Sequence, residues 1–561
     1  MPAHARFTSI WLSAAAALLL CAAAPAGPGP ATRMHHASRK PAPSTLPPPH
    51  YAGDAATRLD RAYGGRKIDV ATYHYDLDRT GWNRRETDLT PANVADQTQF
   101  GLLATLQVDG NVLAEPLLIS NFKLPGHVVR DLLIVATGHD SVYAFDAQTY
   151  QVVWQVSLGT SQSSTDVGCF DVQPEYGISG TPVIVRTAEN AGSIYLVAAT
   201  EPSPGVFVSK LHRLNLATGH DIVPPVVISP SATLNDGSTV AFDPQNQWNR
   251  PGLAFANNKI YISVGSHCDN AGWMITGWLL SYDPAKLAAL ESFHTVQTHG
   301  GSELASIWMT GFAPAIDSAG NIFVATGNGD YTRDKMDWGE SVLKLNPNMS
   351  TVLSSFTARN FNFLSNNDVD LGSGGVMLLP RVIGQKAPPM AVQMGKSGTL
   401  YLLNQNRLGG IKPNDSGALQ SQNAGGGLWG GPAYYEGPNG PTVFTQGDSD
   451  VLKAWSVNTG STPSLTKAMT GNSWGGYGGS LPIVSSNGSS NGIVWLINRA
   501  QEPFSVEAYD ASVLGTPIFS AQVGTWSNAS QGNPFLTPLE ANGRVYVPGY
   551  LLVQVYGLLP Q

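Results

Sequence analysis

The segment VYAFDAQT, residues 142–149, is a short hydrophobic run that ends in a polar turn. The chain repeats this strand-and-turn pattern eight times, at spacings between 47 and 69 residues. The other seven copies are LHRLNLATG (211–219), LLSYDPAKL (279–287), VLKLNPNMS (342–350), LYLLNQNRLGG (400–410), VLKAWSVNTG (451–460), VEAYDASVLG (506–515) and LVQVYG (552–557). A repeat with room for four short strands and their loops is typical of a β-propeller blade.

A second series of eight segments precedes the first, copy by copy, and seven of its members contain a proline beside small or apolar residues. Its copies are AEPLLIS (from 114), GTPVIV (180), RPGLAF (250), FAPAID (312), SGGVMLLP (373), GGPAYY (430), GSLPIV (479) and FLTPLE (535). Such residues suit a strand start that is crowded around a central axis. Runs rich in β-branched and aromatic residues lie between the two series and are typical of second strands. The sequence therefore predicts an all-β fold, an eight-bladed propeller with four-stranded blades.

The closure of the ring can also be predicted. The last copy ends almost at the C-terminus, so blade eight lacks an outermost strand of its own. The apolar run FGLLATLQV, residues 100–108, lies just before the first inner strand. We expect this N-terminal strand to complete blade eight, because such a closure leaves no sheet edge unpaired.

The start of the chain predicts three segments. Residues 1–26 carry basic residues, an apolar run and small residues, which is typical of a cleaved signal peptide. Residues 27–70 are rich in proline and predict a disordered linker, and residues 71–561 form the propeller. Cys21 leaves lipidation open as an alternative, although three leucines precede it. We expect a secreted or periplasmic protein without a membrane span.

Composition limits the partners. The chain has 32 basic and 40 acidic residues, and its formal net charge of −8 disfavours nucleic acid as a ligand. After signal cleavage two cysteines remain, Cys169 and Cys268, and an oxidising compartment favours their pairing. They lie in the loop entering blade two and the loop leaving the second strand of blade three. Since such loops share one face of a propeller, we predict a disulfide between adjacent blades, with two buried thiols as the alternative.

That shared face, which we call the axial face, gathers the polar residues of many loops near the axis. The predicted catalytic bases are Asp370 and Asp269. The predicted oxygen ligands for a hard cation such as Ca²⁺ are Glu175, Asn328 and Asp368. The predicted contacts of a bound cofactor are Glu175, Arg250, Trp308, Asn328, Lys396 and Trp429. Trp308, Trp429 or Trp474 can stack on a flat ring. The alternative is that these side chains only cap turns and pack loops.

One copy of the repeat resembles a known family. YAFDAQTYQVVW is similar to the repeat A-x-D-x-x-T-G-x-x-x-W of pyrroloquinoline quinone (PQQ) propellers, with Ala144, Asp146, Thr149 and Trp154 in place and Tyr150 where the pattern has glycine. From about Asp78 to its end, the chain looks like one branch of secreted PQQ-like proteins. Segments that carry this resemblance are TGHDSVYAFDA (137–147), PEYGISGTPVI (174–184), IWMTGFAPAIDSAGNIFVATGNG (307–329), VDLGSGGVMLLP (369–380) and GKSGTLYLLNQNRLGG (395–410).

The resemblance implies the quinoprotein alcohol dehydrogenase-like fold, with PQQ and calcium as cofactors. PQQ alcohol dehydrogenases are expected to carry two vicinal cysteines above the quinone, whereas no two cysteines are adjacent here. Two functions therefore remain open. The first is a PQQ- and calcium-dependent dehydrogenase outside the cytoplasm that acts on an alcohol or sugar. The second is a non-catalytic propeller that binds a glycan, a peptide or an envelope protein. For either function we expect a monomer.

Overall fold

The computed structural model describes residues 67–269, 275–299, 304–382, 384–525 and 536–560. The predicted signal peptide and all but the last four residues of the predicted linker lie outside this part of the chain. The described residues form eight blades around one axis, and each blade is a four-stranded antiparallel sheet. The predicted eight-bladed propeller is therefore confirmed.

The strands of each blade follow one another from the axis outward. In blades one to four they are Leu117–Lys123, Val129–Ala136, Ser141–Asp146 and Val152–Ser157; Val183–Ala188, Ala191–Ser203, Val206–Asn215 and Val226–Val227; Ala254–Ala256, Lys259–Ser266, Trp278–Tyr282 and Ala289–His294; Ala315–Ile316, Ile322–Ala325, Ser341–Leu345 and Val352–Thr357. In blades five to eight they are Met377–Leu378, Met390–Met394, Thr399–Asn404 and Gln420–Asn423; Ala433–Gly437, Gly440–Thr445, Val451–Asn458 and Ser464–Trp474; Ile483–Asn487, Ser490–Asn498, Phe504–Asp510 and Phe519–Gly524; Leu539–Ala541, Arg544–Pro548, Tyr550–Leu558 and Phe100–Asn111.

Short elements fill the connections between these strands. Two extra strands join existing blades: Gln247–Trp248 in blade three and Trp82–Asn83 in blade seven. Three small two-stranded sheets pair Gln162–Ser163 with Glu175–Tyr176, Ser231–Thr233 with Thr239–Ala241, and Tyr331–Thr332 with Asp337–Trp338. The helices are Pro91–Ala95, Ser164–Val167 and Phe361–Asn366, with 3₁₀ turns at Pro125–His127, Met309–Gly311, Arg333–Lys335, Leu371–Ser373 and Pro413–Asp415. No helix in the described ranges is long and apolar enough to cross a membrane.

The aspartate of the repeated turn stabilises it, as the sequence suggests. Asp146 Oδ1 accepts hydrogen bonds from the backbone N–H groups of Gln148 and Thr149, at 2.9 and 3.2 Å. Trp154 of blade one donates its indole N–H to the carbonyl of Leu216 in blade two, at 3.1 Å. Its ring would lie only 2.5 Å from a Cβ at Gly219, so a side chain cannot be accommodated there. The repeat thus joins neighbouring blades as well as turning the chain.

The predicted closure of the ring is confirmed. Phe100–Asn111 pairs antiparallel with Tyr550–Leu558, in a register that sets Phe100 opposite Leu558 and Gln107 opposite Leu552. Blade eight therefore combines one N-terminal strand with three C-terminal strands. This pairing removes the open edge that eight sequential blades would otherwise leave.

A segment before the first blade fills the centre of the ring. We call residues 67–86 the ring segment. It forms backbone hydrogen bonds of 2.7–3.0 Å with the second residue of the innermost strand in six blades. These pairs are Val70 with Leu118, Ala71 with Ile184, Leu77 with Ile316, Asp78 with Leu378, Thr80 with Tyr434, and Gly81 with Val484. In blade eight the Tyr75 hydroxyl bonds to the backbone of Glu540.

The ring segment forms the floor beneath the axial face. Its residues Tyr73, His74 and Arg79 are buried. Phe312 packs edge-on against the Tyr73 and His74 rings, at centroid distances of 5.2 and 5.0 Å. The first described residues of this segment, 67–70, fall within the predicted linker, so the propeller's own contacts start earlier than residue 71.

Candidate active site on the axial face

Loops of neighbouring blades bring the predicted site residues together. Asn328 follows the second strand of blade four, and Lys396 follows the second strand of blade five. Asp368 and Asp370 lie in the loop that enters blade five, after the helix Phe361–Asn366. Asp269 follows the second strand of blade three. Because these loops leave their strands at the same end of the propeller, residues more than 100 positions apart meet at one place.

Three carboxylates form the centre of this site. Oxygens of Asp269, Asp368 and Asp370 all lie within 4.8 Å of one another. The Lys396 ammonium contacts Asp368 Oδ1 at 2.6 Å and Asp370 Oδ2 at 2.5 Å. Asn328 donates its side-chain amide to Asp269 at 3.2 Å and to Asp368 at 3.0 Å. We call these five residues the acidic cluster.

Asp370 is the buried member of the acidic cluster. It is 1% exposed, whereas the side chain of Asp368 is 72% exposed. The backbone N–H of Asn328 donates to Asp370 Oδ1 at 2.6 Å. A Cβ on Gly327 would lie 2.3 Å from that oxygen and 2.8 Å from Trp308 Nε1, so a larger residue at this position would block the approach. The first glycine of the loop sequence TGNG is therefore required, because the Asp370 carboxylate lies directly against it.

The electrostatics of the cluster separate the two neighbouring aspartates. Burial raises the pKa of Asp370 to about 6, against the opposing charge of Lys396. The pKa of the more exposed Asp368 is lowered, because the hydrogen bond and charge of Lys396 outweigh its partial burial. Burial alone would lower the pKa of Lys396, but the two aspartates outweigh this effect and hold it above its usual range. Lys396 therefore stays charged, and the pKa of Asp370 lies closer to neutral pH than the usual pKa of an aspartate.

Aromatic rings and a second cation line the same site. The Lys396 ammonium lies 5.3 Å from the ring centroid of Trp308 and 5.8 Å from that of Trp429. The Arg250 guanidinium lies 5.4 Å from the rings of both Trp308 and Trp248. Trp308 is therefore flanked by two cations, at distances where attraction to the face of an indole ring is favourable.

The predicted disulfide is confirmed. Cys169 and Cys268 are bonded, with their Cα atoms 5.7 Å apart. Cys268 directly precedes Asp269 of the acidic cluster, and Cys169 lies two residues before Asp171. The bond thus joins the loops of blades two and three at the edge of the site, and it is consistent with a protein of an extracytoplasmic compartment.

Glu175 lies outside the group of three carboxylates. Its carboxylate bonds to His139 Nδ1 at 2.9 Å and to the Ser161 hydroxyl at 2.5 Å. The prediction of Glu175 as a shared ligand with Asn328 and Asp368 therefore rests on the sequence alone. The other predicted residues, from Asp269 to Trp429, lie in or against the acidic cluster.

Sequence reasoning did not single out two acidic residues of this site. Asp171, in the loop entering blade two, interacts with Arg250, and burial raises its pKa. Glu340 is fully buried and accepts a hydrogen bond of 2.6 Å from the backbone N–H of Leu371. Burial and the neighbouring Asp370 charge raise the pKa of Glu340 well above its usual range. Asp171 belongs to a loop already assigned to the axial face, but Glu340 precedes a third strand, where no site was expected.

The fold is that of the PQQ-type propellers. No family model matches the chain, and no curated protein matches its sequence. Solved structures do match: the quinohemoprotein alcohol dehydrogenase of Comamonas testosteroni has a TM-score of 0.55 at 14% identity, covering 89% of this chain and 82% of that one. A europium-containing methanol dehydrogenase has a TM-score of 0.57 at 12% identity, covering 90% of this chain and 100% of that one. The quinohemoprotein alcohol dehydrogenase ADHIIG of Pseudomonas putida HK5 gives 0.56 at 13%, covering 91% and 82%. The resemblance predicted from the repeat is thus confirmed at the level of the fold.

Proposed function

We propose that this protein is a PQQ-dependent dehydrogenase that acts outside the cytoplasm on an alcohol or sugar, with Asp370 as the base. One observation carries the proposal: a buried carboxylate with a pKa of about 6 lies in the loop that enters blade five of a PQQ-type propeller, bonded to Lys396 and next to Trp308. A base with a pKa near the working pH is the kind that proton abstraction requires.

The residues present fit a flat, anionic cofactor. Trp308 offers an indole ring that is only partly buried, and a flat ring system stacks well on such a surface. Lys396 and Arg250, both within 5.4 Å of the centroid of that ring, provide the positive charges that carboxylates of the cofactor need. When bound, PQQ supplies the hydride acceptor for the carbon that is oxidised.

The acidic cluster also fits a hard cation. Three carboxylates lie within 4.8 Å of one another, and the buried Oδ1 atom of Asn328 accepts no hydrogen bond. Calcium takes six to eight oxygen ligands of this kind. Lys396 pairs with Asp368 and Asp370, so a bound cation would share Asp368 with this ammonium. Asp269, Asp368 and Asn328 would hold the ion, which leaves Asp370 for proton transfer.

The protein's own groups have distinct roles in this proposal. Asp370 takes the proton of the substrate hydroxyl as the hydride leaves the adjoining carbon. Lys396 and the backbone N–H of Asn328 bond to the two oxygens of Asp370, so they orient the carboxylate and favour its charged form. Burial raises the pKa of Glu340, which favours its neutral form beneath the loop.

Reconstitution with PQQ and calcium tests the proposal. We expect quinone absorbance to remain with the protein after gel filtration, and an artificial electron acceptor to be reduced in the presence of an alcohol or sugar from a broad panel. Asp370→Asn should retain PQQ but lose dye reduction, whereas Glu115→Gln, which changes a buried carboxyl bonded to the backbone of His74 in the floor, should keep both. If wild-type protein retains no quinone and reduces no dye, the proposal is wrong.

A second function is favoured by the cysteines. The disulfide joins residues 99 positions apart instead of neighbours, so the vicinal pair expected of PQQ alcohol dehydrogenases is missing. A non-catalytic propeller that binds a glycan, a peptide or an envelope protein would need no such pair. Binding of envelope components by a protein that takes up no PQQ would favour this alternative.

A further inference from the structure

Two exposed aromatic side chains stand at the mouth of the site. Trp474 is 63% exposed and Tyr477 is 54% exposed. Both belong to the loop WGGYGG, residues 474–479, which enters blade seven on the axial face. Large aromatic groups in water are costly unless they meet a partner, so exposed rings at a pocket mouth indicate a binding surface. We call this loop the aromatic shelf.

The backbone of the shelf is held firmly although its side chains are in solvent. The carbonyl of Trp474 accepts a hydrogen bond of 3.0 Å from Asn498, and that of Tyr477 accepts one of 2.6 Å from Arg499. The backbone N–H of Gly475 donates to Asp450 at 2.8 Å, and the carbonyl of Gly478 accepts from Trp429 at 3.0 Å. Since the loop is fixed in advance, a ligand that stacks on these rings loses little free energy in ordering them.

The shelf is continuous with the acidic cluster. The ring of Tyr477 packs against that of Trp429 at a centroid distance of 5.1 Å. Trp429 in turn lies 5.8 Å from the Lys396 ammonium, which bonds to Asp370. Tyr477, Trp429 and Lys396 therefore connect the shelf to the buried carboxylate. A molecule lying on the shelf would extend from Trp474 towards the proposed base.

Polar side chains lie next to these rings. Asn472 and Ser473 precede Trp474 and are at least half-exposed, and the half-exposed Arg499 bonds to the Tyr477 carbonyl. A surface for an apolar protein partner would carry aliphatic side chains around its aromatic residues. Rings surrounded by hydrogen-bonding groups instead suit sugars, which present a C–H face for stacking and hydroxyl groups at their edges.

We propose that the aromatic shelf is a saccharide-binding surface and that the substrate of the site is a carbohydrate with at least two sugar units. One unit stacks on Trp474 and Tyr477, while the terminal unit presents its hydroxyl to Asp370. The substrate assignment rests on the proposed function, but the binding surface does not, because the shelf needs no cofactor to take up a saccharide.

Calorimetry with the full chain tests this inference. The probes are cellohexaose, xylohexaose, mannohexaose and maltohexaose, titrated into protein without PQQ. We expect at least one to bind, and Trp474→Ala and Tyr477→Ala each to weaken it about 2- to 10-fold, the range of a single aromatic contact. Trp474→Phe and Tyr477→Phe keep a ring and should retain most of the affinity. Val513→Ala is the control, since this side chain is 66% exposed in the turn after a third strand, away from the axial face.

The outcomes separate this inference from the proposed function. PQQ uptake by Trp474→Ala should equal that of the wild-type protein. If a hexasaccharide binds in a ring-dependent way but no quinone is retained, the shelf stands and the dehydrogenase proposal fails. If none of the four binds, if the alanine variants bind as tightly as the wild type, or if an unglycosylated peptide binds the shelf instead, the saccharide assignment is wrong.

Discussion

The propeller axis carries two groups of buried charge that differ in how they are built. The acidic cluster is assembled by loops of three blades, and its members range from fully buried Asp370 to exposed Asp368. The floor of the site is formed by one continuous stretch, in which Arg79 is fully buried. Arg79 donates to the carbonyls of Pro314, Tyr73 and Asp76, each at 2.9 Å. Charge at the floor therefore holds backbone together, whereas charge in the acidic cluster is shared among side chains of different blades.

This difference matters because burial has the same electrostatic cost in both places. Burial lowers the pKa of Arg79 to about 10 and raises that of Glu115 to about 8. At the floor this cost is offset by the hydrogen bonds that Arg79 donates to three backbone carbonyls. In the acidic cluster it yields a carboxylate poised near neutral pH. Four measurements test this difference between the floor and the acidic cluster.

The largest effect is expected at Asp370. Asp370→Asn keeps the shape and removes the base, so dye reduction with PQQ and calcium should fall by about 10²- to 10⁴-fold. Thermal unfolding should show little loss of stability, because a neutral amide is less costly to bury than a carboxylate. A variant with full activity would show that another group takes the proton.

Arg79→Met should act in the opposite way. It removes the side-chain donors of three carbonyls and the positive charge beside Asp76 and Glu115, so we expect the free energy of unfolding to fall by about 3–5 kcal/mol. Urea unfolding measures this loss. The PQQ retained per folded molecule should not change. A loss below about 1 kcal/mol would mean that the ring segment adds little to the fold.

Glu115 should make stability depend on pH. Its pKa of about 8 in the folded protein lies above the usual 4.5, owing first to burial. Its contribution is therefore complete below about pH 4.5 and is lost as pH rises towards 8. Relative to Glu115→Gln, the wild type should lose up to about 1.4 kcal/mol per pH unit in this window. If the difference in free energy of unfolding between the wild type and Glu115→Gln is the same at pH 5 and at pH 7.5, this prediction is wrong.

Substitution of Asp269 should give the smallest effect, which is weaker binding of the cation. Terbium, a luminescent substitute for calcium, can be excited through Trp308 or Trp429. Asp269→Asn should weaken terbium binding by about 10-fold, since one of its two carboxylate ligands becomes neutral. Glu175→Gln is the informative comparison, because Glu175 bonds to His139 and Ser161. An equal loss in both variants would place Glu175 among the ligands after all.

Several of these features could be read from the sequence. The number of copies of the repeat predicts the number of blades. The positions of the copies along the chain indicate which loops lie on the same face of the propeller. Asp269, Asn328, Asp370 and Lys396 could therefore be assigned to one site although they span more than 100 residues. The pairing of Cys169 with Cys268 followed from the same argument. Glu175 belongs to the same set of loops, yet its side chain has nearer partners, and a loop assignment cannot resolve distances of a few ångströms.

The ring segment could not have been predicted, because it has no repeat and no hydrophobic alternation to indicate its place. Its residues 67–70 fall in the predicted linker, and residues 71–86 fall in the predicted propeller without an element of their own. Its hydrogen bonds come from backbone groups, which every residue carries and which leave no trace in composition. The burial that distinguishes Asp370 from Asp368 is likewise invisible in the letters NNDVDLG.

The repeats in the sequence specify the architecture, since eight copies of the strand-and-turn pattern predict eight blades around one axis. They also determined which loops meet. The tertiary structure alone decided the chemistry: which aspartate is desolvated, which cation neutralises it, and which rings remain in water. Those properties depend on the distances between side chains of different blades, and such distances exist only once the ring has closed around its N-terminal segment.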